Sequence, residues 1–177
     1  QECKIWFNSS ACQGTSNAAP TISGTPSRLT VKKETASDLD LSAITVADND
    51  GDAVTLTLAV NGGTLTAASS GGVIAAGSGS ATLTLNGTPA QLNSYLDTAN
   101  HVQYTGAASA SGVDAATLTI TPNDGTVDGA VATVPLNIWI APFDEDFSVK
   151  PAALGDNTDY GAGVSEFDMA LAGQVFT

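Results

Sequence analysis

The stretch VADNDGDAV, Val46–Val54, sets three carboxylates at alternate positions, Asp48, Asp50 and Asp52, around Asn49 and Gly51. On an extended loop this spacing aims the carboxylates to one side, and Gly51 lets the backbone bend toward an ion. Oxygen donors on a flexible loop suit calcium, which takes about six to eight of them. The same residues also make an ordinary polar turn, because Asp, Asn and Gly are what turns select. An EF-hand does not fit: Ala59 stands where that loop needs its closing Glu, and no helical pattern flanks the stretch. Other chemistry is scarcer still. His101 is the single histidine and has no catalytic partner in its neighbourhood, so it reads as a surface or capping residue. It cannot complete a zinc site with Cys3 and Cys12, which lack metal-type spacing. No nucleophile elbow, metalloprotease helix, P-loop or dinucleotide fingerprint occurs. The acids fall in turn-like segments, and only Trp6 and Trp139 could line a sugar cleft, with Trp139 placed in a strand where core packing is the default. These features argue against a glycosidase and against an enzyme in general.

Charge narrows the partners. Lys and Arg total 5 against 18 Asp and Glu, a formal net charge of -13. The cations are Lys4, Arg28, Lys32, Lys33 and Lys150, with none between Glu34 and Val149. A nucleic-acid backbone needs several cations to displace its counterions, and an anionic membrane needs a polybasic patch; neither is present. No apolar run has the length of a transmembrane helix, so membrane insertion is not expected. The opening QECKIWFNSSACQ lacks a signal-peptide pattern, so a secreted origin implies a processed or excised chain. Cys3 and Cys12 read as a short disulfide loop, which places the protein in an oxidising compartment; the alternative is two free thiols.

The elements that must position the acidic loop follow from period-two alternation. In VTLTLAV (Val54–Val60), Val54, Leu56 and Leu58 fall on one face and Thr55 and Thr57 on the other. GTLTA (Gly63–Ala67), ATLTLNG (Ala81–Gly87), HVQYT (His101–Thr105), ATLTITP (Ala116–Pro122) and ATVPLNIWI (Ala132–Ile140) repeat the pattern. Threonine outside and an aliphatic inside is the signature of half-buried antiparallel strands, and Gly, Asn and Asp punctuation predicts an all-β sandwich. One helix interrupts it at TPAQLNSYLDTAN. Thr88 serves as N-cap, Pro89 as first helical residue and Gln91 as the capping-box partner, with Leu92, Tyr95 and Leu96 facing inward. Three zones result: a cysteine-containing segment 1–17, the β domain 18–140, and an extension 141–177 with a strand-like tail.

The order of features in RLTVKKETASDLDLSAITVADNDGDAVTLTLAVNGGTLTA, with LTLNGTPAQLNSYLDTANHVQYTGAA and AATLTITPNDG, resembles the cadherin-like, immunoglobulin-like tandem repeats of large bacterial surface adhesins. NAAPTISG (Asn17–Gly24) is similar to that family's inter-repeat linker, and KETA (Lys33–Ala36) to its Glu-containing turn. The resemblance implies a Greek-key β-sandwich with calcium held near domain junctions. Its ligands would be Glu34, Asp48, Asp50, Asp52, Asn123 and Asp124, with Asp144 and Asp146 lying where a following linker would contribute. SEFDMALAGQVF near the end is similar to the opening strand of another repeat. The chain is then either cut from a tandem array or a subunit whose terminal strand completes a neighbour, and the two-cysteine leader favours the subunit.

The expectation is an extracellular or cell-surface structural module that builds a fibre or stalk, associating with copies of itself or adjacent repeats. Trp6, Phe7, Phe143, Phe147, Phe167, Met169, Leu171, Val175 and Phe176 are large apolar residues outside the sandwich that would make subunit contacts. The alternative is a ligand-binding adhesin domain recognising a glycan or host surface protein through loops such as Ala67–Ser80. Asn8, in a loop, and Asn86, in a turn before the helix, head glycosylation sequons.

Overall fold

The computed structural model describes residues 17–139. The order is β1 (Thr21–Ser23), β2 (Leu29–Lys32), β3 (Ser37–Asp38), β4 (Thr45–Ala47), β5 (Val54–Val60), β6 (Thr64–Ala67), β7 (Ile74–Ala76), β8 (Thr82–Gly87), α1 (Pro89–Leu96), β9 (Val102–Thr105), β10 (Gly112–Asn123) and β11 (Ala132–Trp139). The fold is all-β with one short helix. A six-stranded sheet runs β2-β11-β10-β5-β8-β7, a three-stranded sheet runs β3-β9-β6, and β1 pairs with β4. Every pairing is antiparallel except β2 with β11, which is parallel.

Alternation drives this arrangement. In β5 each Val and Leu is buried and each Thr half-exposed, and β8, β10 and β11 repeat the pattern. The inward residues form one core that includes Leu56, Leu58, Leu83, Leu85, Leu118, Leu136, Ile138 and Tyr104. Leu92, Tyr95 and Leu96 of α1 join it. Helix α1 starts as its sequence dictates: Thr88 accepts from the Gln91 amide while the Gln91 side chain accepts from the Thr88 amide.

Sheet edges are the exposed backbone of any such fold, and here side chains occupy them. Ser37 Oγ accepts the Lys32 amide of edge strand β2 at 3.1 Å, Ser78 Oγ the Ala67 amide of β6 at 3.1 Å, and Ser69 Oγ the Ala75 amide of β7 at 2.9 Å. β4 is closed by the helix: Asn93 Oδ1 accepts from the Val46 amide at 2.8 Å, and its Nδ2 donates to the Val46 carbonyl at 3.0 Å. A short side chain thus replaces a neighbouring strand and blunts unwanted pairing.

Two expectations are corrected. Trp139 is not core: it is 39% exposed on the outer face, with Lys32 Nζ 5.9 Å above its ring, because the inward positions of β11 are Val134, Leu136 and Ile138. Asn86 is not in a turn before the helix but within β8, half-buried, with Nδ2 donating to Thr55 Oγ1 at 2.8 Å.

Candidate functional site

Strand register sorts the acidic residues into two ends. Asn123 of β10 pairs with Thr55 at the start of β5, so the Asp48–Asp52 loop that feeds β5 and the Asn123–Asp128 turn share one end. Residues Asn17 and Ala18 enter the domain there. β11 starts near this end, since Ala132 pairs with Ile120, and finishes at Trp139 beside Lys32. Glu34, in the turn just after Lys32, therefore lies at the opposite end, roughly 25 Å away at a strand rise of about 3.3 Å per residue. Its backbone holds a positive φ of 53°. The residues matched to a calcium cluster are thus divided: Asp48, Asp50, Asp52, Asn123 and Asp124 come to the entry end, and Glu34 goes to the exit end.

At the entry end the aspartates organise backbone. Asp48 Oδ1 accepts the amides of Asp50 and Gly51, each at 2.9 Å, and of Asp52 at 3.2 Å. Gly51, at φ 79°, supplies the left-handed residue that this tight turn requires. Asp50 accepts the Ala18 amide at 2.6 Å, and Asp124 Oδ2 accepts from Asn17 Nδ2 at 2.8 Å. Asp124 Oδ1 takes the Thr126 and Val127 amides at 2.7 and 2.8 Å. Asn123 closes its own turn, accepting from the Gly125 amide and donating to Asp128, both at 2.7 Å. Two loops far apart in sequence thereby clamp the chain where it enters the domain.

The donor set for a cation is partial. Asp48 Oδ2 is buried with no hydrogen-bond partner, Asp52 is exposed, and all these donors are oxygens. Among the described residues, however, no group of three or more acidic, His or Cys side chains converges on one ion position. Asp144 and Asp146, the pair Cys3 and Cys12, Asn8, and the apolar set Trp6, Phe7, Phe143, Phe147, Phe167, Met169, Leu171, Val175 and Phe176 all lie outside the described residues.

The Val127 amide first, then the Asn17 side chain, hold the Asp124 carboxyl below its usual value of 3.8. A depressed folded-state value means stabilisation that is present above the unfolded value and lost as pH falls through the folded one. Asp124→Asn should therefore lower the melting temperature relative to the parent near neutral pH. The gap should close as pH falls below the ordinary carboxylate value of 3.8. Melting curves across that range check it, and a gap that does not change with pH would show that the clamp carries no charge contribution.

His101 packs against the helix. Its ring lies 4.5 Å from that of Tyr95, its Nδ1 is buried without a partner, and the Tyr95 hydroxyl donates to the carbonyls of Ala68 and His101. Beside it Thr66–Ser70, Ser78, Asn100 and Gln103 line an open, uncharged groove. Sequence reasoning missed Asn17 and Asn93 as positioning residues; the only signal for Asn93 was an amide in the middle of a helix, where it is a poor helix former. Among the described residues no helix is long and apolar enough to cross a membrane. No protein-family model, curated protein or solved structure matches the chain.

Proposed function

We propose that this chain is an extracellular structural module, a cadherin-like Greek-key sandwich that serves as one link of a surface fibre or adhesin stalk. The observation that carries the reading is the two-ended arrangement. The entering linker is clamped by Asp50 and Asp124 at one end, and the domain's last described strand finishes beside the Glu34 turn at the other. A link needs this: force enters and leaves along the strands rather than across them. The early chain also supports a sandwich, because β1 joins β4 while β2 crosses to pair in parallel with β11.

Every sheet contributes inward residues to the described core. In this reading a terminal segment adds a strand at a sheet edge of a neighbour. Each serine cap on an edge is one neutral hydrogen bond, worth about 1 kcal/mol net, so a ladder of several backbone bonds would displace it. In this reading calcium binds at a junction, with Asp48, Asp50 and Asp52 supplying part of the shell and a neighbouring unit the rest. Glu34 would act in the same way at the exit end. When bound, the ion would neutralise clustered carboxylates and stiffen the joint. The alternative, an adhesin domain for a glycan or host surface protein, draws on the uncharged groove at Thr66–Ser70, which has no exposed aromatic anchor.

Light scattering of the full chain tests the proposal. The parent should form species well above its 17.6 kDa mass. Joint Phe167→Asp and Phe176→Asp substitution should reduce them to monomer with an unchanged melting temperature. A parent that stays monomeric in both calcium and EDTA would defeat it.

A further inference from the structure

Strand β2 is an edge: β11 pairs with it on one side, and no strand of that sheet lies on the other. The Lys33 amide donates to the Trp139 carbonyl of β11, whereas the Lys32 amide turns away and is held by Ser37 Oγ. Thr30 is in phase with Lys32, so its amide and carbonyl also face the free side. Thr30, Val31, Lys32, Thr35, Ser37 and Trp139 line an open groove along that edge. The side chains alternate as the backbone does. Arg28, Thr30 and Lys32 are exposed on the outer face, while Leu29 and Val31 turn toward the core. Asp114 holds Arg28 at 2.9 Å. Lys32 has the Trp139 ring 5.9 Å away and no carboxylate partner among the described residues. The other edges differ: β1, β6 and β7 are uncharged, β3 carries Asp38, and β4 is closed by Asn93.

A lysine on an edge strand ordinarily deters pairing. A strand that sets a carboxylate beside it turns that deterrent into a preference, because opposite charges across a strand pair attract and like charges repel. The chain carries a segment of this kind outside the described residues. In Glu166–Leu171, Glu166 and Asp168 alternate with Phe167, Met169 and Leu171. Extended, such a segment presents carboxylates on one face and large apolar groups on the other. With Asp168 set opposite Thr30, in either strand direction, Phe167 and Met169 fall opposite Leu29 and Val31. The two carboxylates then come within cross-strand or diagonal reach of Lys32 and Arg28. Both faces match at once. Phe143–Phe147 does not match in this way, because Asp144, Glu145 and Asp146 are consecutive and would put a carboxylate on the apolar side as well.

We propose that the free edge of β2 is a docking site for one segment, Glu166–Leu171 of a second copy, which adds there as a strand. Backbone bonds along Arg28–Lys32 supply the attachment, and Lys32 selects an acidic strand over the uncharged ones that an open edge would otherwise attract. Ser37 Oγ, which holds the Lys32 amide at 3.1 Å, is the one bond given up. This site rests on the reading of the chain as a fibre link, and it names the edge and the segment that make the joint.

Sedimentation velocity of the full chain tests it by charge exchange. The parent should associate over about 10–500 µM, the range in which a micromolar interface registers. Lys32→Glu repels the acidic segment yet leaves the Arg28–Asp114 pair intact. Glu166→Lys combined with Asp168→Lys brings like charge to the unaltered edge. Each protein alone should associate at least tenfold more weakly than the parent, with an unchanged melting curve. Mixed in equal amounts they should regain association, because the acidic segment of the first fits the unaltered edge of the second. Thr30→Pro, which removes an outward-facing amide, should weaken association as well. Variants that associate as the parent does, or a mixture no stronger than its components, would overturn the site while leaving the fibre reading standing on other contacts. A parent monomeric at every concentration would overturn both. Rescue of Lys32→Glu by Asp144→Lys with Asp146→Lys, and not by the tail exchange, would give the edge to Phe143–Phe147 and overturn the assignment.

Discussion

Asn93→Ala should destabilise the domain by about 2–4 kcal/mol, because it leaves both the amide and the carbonyl of Val46 without a partner in a part-buried place. Alanine is the better helix former, so helix propensity alone predicts the opposite sign. The two arguments differ enough to decide: propensity is worth about 0.7 kcal/mol at most, well below two unsatisfied backbone groups. A fall on the order of 10 °C in melting temperature is the readout. Asn93→Asp sharpens the test. Its carboxylate can accept from the Val46 amide but cannot donate to the Val46 carbonyl, so it should be destabilising at neutral pH. It should recover partly in acid, where the protonated carboxyl regains a donor. An Asn93→Ala protein as stable as the parent would mean that α1 does not close β4.

Gly129→Ala should cost about 2–4 kcal/mol and loosen the entry end in particular. A Cβ at Gly129 would collide with the Pro20 carbonyl oxygen and crowd the Pro122 ring. Pro122 and Gly129 are joined by a backbone hydrogen bond of 2.8 Å, so the turn cannot simply swing away. The linker is what yields, and with it go the contacts of Asn17 with Asp124 and of Ala18 with Asp50. Hydrogen exchange should show lost protection at Ala18 and at the Asp48–Asp52 loop, with β9 and β10 unchanged. Uniform loss of protection over the whole domain would show that Gly129 supports the core rather than the clamp.

Much of this fold could be read from residue order. Alternation located β5, β6, β8, β9 and β11 almost to the residue, and the Thr88, Pro89 and Gln91 triad placed α1 with its cap. The short strands β1, β3, β4 and β7 carry two or three residues each, too few for a period to register. Trp139 was misplaced for a related reason: near a strand end, one residue of phase decides between core and solvent, and bulk suggested the wrong one. At the candidate site, the alternate aspartates signalled a turn, and a turn stands there. What local spacing could not reveal is that Asp50 and Asp124 reach back to the linker, because those bonds span 32 and 107 positions. Nor could spacing divide Glu34 from the other acids. That separation follows from the parallel pairing of β2 with β11, a choice between sheets that no local pattern encodes.

Negative-stain electron microscopy of the full chain decides whether the domain is a link joined end to end. Grids would be prepared in about 2 mM calcium, near the range where extracellular modules bind, and in EDTA. Filaments with an axial repeat of one domain are expected in calcium, and shortened or bent ones in EDTA. Compact single particles in both conditions would contradict it.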